Sequence, residues 1–476
     1  MKSKLSLLAI ALAGVFPLAQ TAHAQTTAEL KQEIELLKKQ LQVLMQKVDA
    51  ASAAAPAATA AVDPQEFNRV KIKAESTEDN FEAAGFKGLK LSGMIDPTYI
   101  YSSRQNHAGF VFLNNFDGRN DGESFAFDNS YFGQAVLDIQ KETDGGNKWR
   151  LTLAPHKSAS SGYNANSIVH EASVSIPTID SQTRVIAGVI PDWSGYEYIF
   201  ANQQPLITHN MLFDFTIPTV YSGVGMEISS GKWISKFMVG NVNETRKANG
   251  DKSPALTYRV DYSKGEYQGF GLAGTHSFSS GNRYDLFEVD GYFIRGDVTW
   301  QGQFGVGRQP LAAANGGTAQ WWGLSNLFGY KLTPRLQAVA RFDYVRNTKN
   351  GGGIYGQTAD TCSLLERDAS GALTGAVDPA TGLPVRSDVS CAAGRNGFGP
   401  AMALAADSGE WEPIDPNRGV NRYALSAGFN YLINPTTTWK MELRYDAANG
   451  AVFRDVRDGS YKKNNVLLGT SVVVSF

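Results

Sequence analysis

The sequence lacks the long apolar segments that helical membrane proteins need. Beyond residue 24, no run of 18 apolar residues occurs in the 476-residue chain, whereas a helix needs about 20 to cross a bilayer. Charged residues are also scarce at 19%, and the net charge is −2. Because a chain that binds nucleic acid is normally basic, we expect neither a helical membrane protein nor a nucleic-acid binder.

Cysteine is almost absent, and the sequence offers little for catalysis. Cys362 and Cys391 lie 29 positions apart, and in an exported protein such a pair predicts a structural disulfide. The histidines show no metal-ligand spacing, and no G-x-S-x-G elbow occurs. We therefore expect no cofactor, no metal and no catalytic residue. A hydrolase built from scattered Ser, His and Asp residues stays an alternative.

The first 24 residues have the three parts of a signal peptide. Lys2 and Lys4 provide the charged start, Leu5 to Phe16 is apolar, and Ala22-His23-Ala24 is an A-x-A cleavage site. The apolar run is too short to cross a bilayer as a helix. We therefore expect residues 1–24 to direct export.

A heptad repeat follows the signal peptide. Apolar residues recur at intervals of 4, 3, 4, 3 and 4, with Glu and Lys at the outer positions: Leu30, Ile34, Leu37, Leu41, Leu44 and Val48. Because about three heptads are marginal as a single helix, residues 25–50 predict a coiled coil for oligomerisation. A short amphipathic helix lying on its own barrel is the alternative. Residues 51–88 are predicted to be an Ala/Pro linker followed by a polar periplasmic adaptor.

From Leu89 to Phe476 the sequence pattern has a period of two. In Trp439 to Asp446, apolar or aromatic residues alternate with charged ones. About 16 candidate strands can be identified, near residues 89–101, 126–141, 148–155, 169–177, 183–190, 219–228, 232–242, 254–263, 266–278, 284–294, 297–308, 320–332, 335–346, 421–432, 437–447 and 465–476. Links after even strands are short and links after odd strands are mostly longer. This rhythm predicts an all-β antiparallel transmembrane barrel over residues 89–476.

Aromatic residues recur where the candidate strands meet the short links. Trp149, Trp233 and Trp439 open strands after such links, and Tyr330 and Tyr431 close strands before them. Rings of this kind form girdles at the membrane interface. The chain also ends in a strand closed by Phe476, which is similar to the signal that the barrel-assembly machinery recognises in outer-membrane proteins.

Several short stretches resemble a known family. The segments AGVI at 187–190, GYEY at 195–198, FDFTIP at 213–218 and SGV at 222–224 resemble the OmpL-like family of outer-membrane β-barrel porins. The layout also resembles an uncharacterised set of betaproteobacterial porin-like proteins. The resemblance implies a trimeric channel in a Gram-negative outer membrane for passive diffusion of small hydrophilic solutes or ions, without naming a solute. A structural or adhesive barrel, plugged by the long link 347–421, is the rival interpretation.

The third long link, Pro191 to Thr219, is unusually aromatic. A water-exposed loop does not normally carry so many large apolar groups, so we expect this link to fold inward and narrow the lumen. Closure over the barrel mouth and contact with a neighbouring subunit are the alternatives. The predicted constriction residues are Asp192, Trp193, Tyr196, Glu197, Tyr198, Phe200, His209 and Asp214.

Charged residues at alternate strand positions predict a polar inner wall. They are Glu227, Arg259, Asp261, Glu288, Asp290, Arg341, Asp343, Lys440, Glu442, Arg444 and Asp446. Such groups are costly in a dry core but cheap in a wet lumen. No Lys or Arg lies between Pro191 and Gly231, so the acids of the third link have no basic neighbour in sequence. Their field predicts a modest cation preference.

Overall fold

A computed structural model describes residues 68–73, 76, 85–104, 107–112, 132–154, 168–242, 254–278, 283–310, 313–315, 317–352, 397–455 and 457–476. The chain divides into two compact units, Met1–Ala84 and Gly85–Phe476. The described residues of the first unit, 68–73 and 76, are helical and exposed. The signal peptide, the heptad residues and both cysteines lie outside the described residues, so the predictions made for them stay predictions.

The second unit is a closed antiparallel β-barrel of 16 strands. Its first strand is β1 (Leu89–Ile95) continued by β2 (Thr98–Ser102), and its second is β3 (His107–Val111) with β4 (Ala135–Glu142). The other strands are β5 (Lys148–Leu153), β6 (Val169–Pro177), β7 (Thr183–Pro191), β8 (Val220–Ser230), β9 (Trp233–Val242), β10 (Ala255–Ser263), β11 (Gln268–Ser277), β12 (Tyr284–Arg295), β13 (Val298–Gln309), β14 (Ala319–Thr333), β15 (Leu336–Arg346), β18 (Asn421–Asn434), β19 (Thr437–Ala448) and β22 (Asn464–Ser475). Two small hairpins lie in the long links: β16 (Met402–Leu404) with β17 (Trp411–Pro413), and β20 (Phe453–Arg454) with β21 (Tyr461–Lys462).

The barrel closes where the last strand meets the first. β22 pairs with β19 on one side and with β2 and β1 on the other. At the end of the chain, the Phe476 N–H donates to the Gly93 carbonyl at 3.0 Å, and the Gly93 N–H donates back at 3.2 Å. Pro97 has no N–H and separates β1 from β2. Closure removes the free edges that an open sheet would present.

The prediction of about 16 antiparallel strands is confirmed, but the second strand was placed wrongly. It was expected near 126–141 after a long first link. The structure instead turns back directly after β2, pairing Ser102 with His107, and β4 then continues beside β1. The second strand is in two parts, because β3 ends at Val111 and β4 begins at Ala135, and a period-two search assigns such a gap to a loop between strands.

The predicted alternation of faces is clearest on β19. Trp439, Met441, Leu443 and Tyr445 point outward, and Leu443 remains 52% exposed. The residues between them point inward, and Glu442 is fully buried. A soluble sandwich would bury the apolar face, whereas here the apolar face is the outer one.

Short links and aromatic rings mark one end of the barrel. Gly231 and Gly296 adopt positive φ values of 59° and 58° in two-residue hairpins, a conformation that glycine adopts without strain. The outward-facing aromatic rings at this end are partly exposed, as expected for an interfacial girdle: Trp149, Trp233, Phe293, Tyr330, Tyr431 and Trp439. In the described part of the chain, no helix has the length and apolarity needed to cross a membrane.

Candidate pore constriction

The link between β7 and β8, residues 192–219, lies against the inner wall of the barrel, and we call it the inserted loop. It contains a 3-10 turn, Ala201–Gln203, and a short helix, Met211–Phe215, which we call the loop helix. The Asn210 side chain caps that helix by accepting a hydrogen bond from the Phe213 N–H at 2.8 Å. This inward position is the one that its aromatic composition predicted.

Apolar packing holds the loop helix. Its buried side chains form one cluster with inward-facing residues of β12, β14 and β15, including Leu286, Trp321 and Val345. Met211 and Leu212 are completely buried within this cluster. Fully burying a side chain of this size is worth about 1.5–3 kcal/mol, so the loop helix is fixed to the wall by its apolar face.

Ionic contacts hold the residues that precede the loop helix. The Arg341 guanidinium on β15 donates to Glu197 Oε1 at 3.0 Å, to the Thr208 carbonyl at 2.6 Å, to Thr208 Oγ1 at 2.8 Å and to the His209 carbonyl at 2.8 Å. The Arg341 and Glu197 side chains are 0% and 1% exposed. We call this set of contacts the Arg341 latch. Burial raises the pKa of Glu197 to about 7, while the charge of Arg341 and the Asn210 N–H oppose that shift.

Charged residues of β19 hold the same part of the loop. Glu442 accepts from the Ile207 and Thr208 N–H groups at 2.8 and 2.7 Å. Arg444 donates to the His209 carbonyl at 2.9 Å, and Lys440 donates to the Ala201 and Gln204 carbonyls. Strand side chains therefore satisfy the backbone of a non-helical segment, as buried irregular backbone requires.

The wall beneath the inserted loop contains a buried ionic network. Arg341, Arg422, Lys440 and Arg444 face four carboxylates, and every member is at most 6% exposed; the carboxylates are Glu197, Asp343, Glu442 and Asp446. The sequence led us to expect these wall residues on an open, wet surface, but the inserted loop covers them. Glu197 has no basic neighbour in sequence, but Arg341 on a strand 144 positions away is its partner, so its charge does not act on the lumen unopposed.

Arg422 connects the inserted loop to the outer links. Its guanidinium lies over the rings of Phe215, Phe398 and Phe453 at 5.0, 5.1 and 5.3 Å from the centroids. Cation–π contacts of this kind strengthen when they are desolvated, and Arg422 is fully buried. Phe398 and Phe453, which belong to the links after β15 and β19, therefore lie around the same guanidinium as Phe215 of the loop helix.

The wall formed by β4 to β10 carries charges that are less buried. Arg150 is 36% exposed and lies 2.7 Å from Asp138 and 3.2 Å from Glu171. Lys236 pairs with Glu227 at 3.0 Å, and both are about a third exposed. The ionic partners of Arg150 and Lys236 thus lie on neighbouring strands of this wall.

Arg259 joins this wall to the start of the loop. It lies 2.7 Å from Asp261 and 2.8 Å from Asp290, and it donates to the Trp193 carbonyl at 2.7 Å. Glu288, one step from Asp290 on the same face, is fully buried and accepts from the Gln303 amide at 2.9 Å.

The predicted constriction residues have different environments. Tyr198 is 60% exposed, whereas the Tyr196 hydroxyl bonds Ser325 at 2.7 Å. Asp192 is partly buried and receives hydrogen bonds from Ser194 and Tyr221, whose ring is 5.0 Å from Trp193. Phe200 packs on His170, while His209 stacks on Phe213 and lies 3.8 Å from the buried Asp214.

The sequence argument missed Asp138, Arg150 and Glu171. They occupy alternating inward positions on β4, β5 and β6, so the rule used for the later strands would have found them. Gln303 and Ser325 were also missed, and no local signal marks them, because their partners lie on the inserted loop. No group of three His, Cys, Asp or Glu residues in the described part of the chain could hold a metal.

The chain belongs to the family described as Protein of unknown function (DUF3138). The family model matches residues 63–265 and 257–476, which include the whole barrel. The resemblance to the OmpL-like porin family is not confirmed. No curated protein matches the chain.

Solved structures with a similar fold include outer-membrane proteins whose sequences have low identity to this chain. OmpT of Vibrio cholerae is 10% identical with a TM-score of 0.47, covering 82% of this chain and 97% of that one. The anion-selective porin from Comamonas acidovorans is 10% identical with a TM-score of 0.46, covering 82% and 99%. The outer-membrane channel DcaP of Acinetobacter baumannii is 12% identical with a TM-score of 0.45, covering 82% and 97%.

Proposed function

We propose that this protein is an outer-membrane porin through which small hydrophilic solutes or ions diffuse passively. The observation that carries the proposal is the reversal of faces in a closed barrel, with apolar residues outside and charged residues inside. A barrel of about 16 strands is wide enough for an aqueous lumen. Lipid then contacts the outer face and water contacts the inner one.

The proposed passage runs between the inserted loop and the β4–β10 wall. The loop covers the wall opposite, and its exposed Tyr198 faces the remaining space together with the partly exposed Arg150, Glu227 and Lys236. A narrow, low-dielectric passage focuses the field of such charges on a passing ion. Ion preference would then depend on these strands rather than on the buried acids of the loop.

The remaining assignments extend this proposal. The heptad segment would make the protein a homotrimer with a periplasmic coiled coil, and the strand ending in Phe476 would be read by the barrel-assembly machinery. Cys362 and Cys391 would form a disulfide within the long link 347–420. Closing a loop of this size would restrict the unfolded chain by about 3–4 kcal/mol.

A plugged structural or adhesive barrel is the second candidate, because Phe398 from the long link is fully buried against the loop helix. Planar-bilayer recording on the purified, signal-cleaved protein separates the two candidates. The porin predicts stepwise openings and solute-dependent swelling of liposomes. Silence from correctly inserted protein, with folding checked by circular dichroism, would support the plug and overturn the channel.

A further inference from the structure

The outer wall carries a pocket at the ends of β11 to β15 that meet the long links. Its volume is about 590 Å³, within the usual range of ligand pockets. The side chains that shape it point away from the lumen and occupy outward positions of consecutive strands: His276, Asp285, Phe287, Val306, Arg308, Gln320, Trp322 and Arg346, with Lys349 just beyond the strand end.

Strand register sorts these side chains into two rows. Asp285, Arg308 and Gln320 are directly opposite one another and form the row nearer the long links. One step deeper, Phe287, Val306 and Trp322 form an apolar row in the same register, and Arg346, opposite Trp322, closes this row at its edge. The pocket is therefore amphipathic along the strand direction, with a polar mouth above an apolar floor.

The aromatic floor continues across the wall. Trp322 packs against Phe304 at 6.2 Å and against Tyr344 at 5.3 Å between ring centroids. Aromatic rings of this kind mark the level of lipid headgroups in membrane barrels. The polar mouth would therefore lie at the headgroups and the apolar floor at the acyl chains.

The mouth and one edge of the pocket are strongly cationic. Arg308 lies 2.8 Å from Asp285, which is also approached by Arg283 at 3.9 Å and by His276 at 3.1 Å. Among the residues that the structure describes, Arg346 and Lys349 have no carboxylate within 4.0 Å, and Lys349 instead donates to Gln320 at 3.0 Å. Three basic side chains thus surround one carboxylate, and Arg346 and Lys349 add two further cations.

We propose that this pocket binds a phosphorylated glycolipid of the outer leaflet. Arg346 and Lys349 would hold its phosphate groups, because guanidinium and ammonium groups are strong phosphate partners. An acyl chain would lie along Phe287, Val306 and Trp322. Charge complementarity and the two-row arrangement favour an anionic amphiphile over a soluble anion, because a soluble anion would make no contact with the apolar row. The site rests on the proposed membrane location but not on conduction.

The test is lipid retention by native mass spectrometry of the protein in detergent. The probe is diphosphorylated lipid A, compared with the same lipid after removal of both phosphates. In the Arg346→Ala/Lys349→Ala variant we expect affinity for the phosphorylated lipid to fall about thirtyfold, since two cations near an anionic lipid surface contribute about 2 kcal/mol. Lys331→Ala/Arg335→Ala is the matched control, because it removes two exposed cations from β14 and the following turn at the opposite end of the barrel. It should retain the lipid.

A second variant tests the apolar floor. Trp322→Ala should weaken binding of the phosphorylated lipid, and an excess of inorganic phosphate should not displace that lipid from the unmodified protein. Equal retention by the Arg346→Ala/Lys349→Ala variant and its control would overturn the site, as would equal binding of the dephosphorylated lipid. Displacement by inorganic phosphate would instead indicate a simple anion site, and a change of oligomer mass in the variant would indicate a subunit interface; either result would overturn the proposal. Bilayer conductance of the same preparations reports the channel function separately.

Discussion

Replacing Arg341 by Gln should release the middle of the inserted loop while the barrel stays closed. The substitution removes the partner of Glu197 and the donors to the Thr208 and His209 carbonyls. Removing one member of a buried ion pair costs about 3–5 kcal/mol, because the other charge is left unpaired. At about 1.4 kcal/mol per factor of ten, the ratio of released to docked loop should rise by about two to four orders of magnitude.

Two measurements report the release. The Ile207 and Thr208 amides, which donate to Glu442, should exchange hydrogen faster in Arg341→Gln, since local opening controls exchange. Single-channel current should become larger and noisier because a released segment no longer holds a fixed passage. Circular dichroism should be unchanged, since the strand pairing of β15 does not depend on this side chain.

Arg150→Gln is the matched control. It removes another inner-wall guanidinium, but the partners of Arg150 are Asp138 and Glu171, which lie on neighbouring strands and not on the inserted loop. This variant should leave loop exchange unchanged. If the two variants show the same loop exchange and the same current noise, the Arg341 latch does not hold the loop.

The remaining predictions use the same preparations. Glu227→Gln should shift the zero-current potential toward anions because Glu227 is partly exposed on the proposed passage, while Glu197→Gln should shift it less because Glu197 is buried against Arg341; the opposite order would contradict the proposed passage. Lowering the pH from about 8 to about 5 should reduce the noise of the single-channel current. The pKa of Glu197, about 7 when the loop is docked, exceeds the free value of about 4.3, so the docked loop binds a proton more readily and protonation stabilises docking. A rise in noise at low pH would contradict this. Deleting residues 26–50 should weaken the trimer in cross-linking without unfolding the barrel, and a monomeric intact protein would disprove the assignment. Cys362 and Cys391 should resist alkylation until reduced, and free thiols in oxidised protein would refute the disulfide.

The strands could be predicted because each carries its own pattern. On β19 the alternation of charged and apolar residues fixes which face contacts water, and the short links fix the order of the strands. The second strand was misplaced because its two parts are separated by a polar insertion, and their continuity is set only by pairing with β1 and β2.

The site was harder to predict, because its decisive contacts join residues far apart in sequence. The aromatic content of the inserted loop correctly indicated that it folds inward. Nothing near Glu197 in sequence shows that Arg341 will neutralise it, so counting charges along the loop gave an acidic constriction. The charge balance of the site depends on two surfaces, the inserted loop and the inner wall of the barrel. Their residues lie far apart in the sequence, so charges counted along one segment do not give the balance of both.

The two halves of the inserted loop are attached by different physical means. A wall that faces water before the loop docks must be polar, and its charges are then desolvated when the loop covers them. Desolvation offsets much of the attraction in a buried ionic network, so the Arg341 latch contributes little net free energy although breaking one of its pairs is costly. Apolar packing of Met211 and Leu212 has no such penalty. The loop helix is therefore the fixed end of the constriction, and the segment from Glu197 to His209 is the part that a change of charge can move.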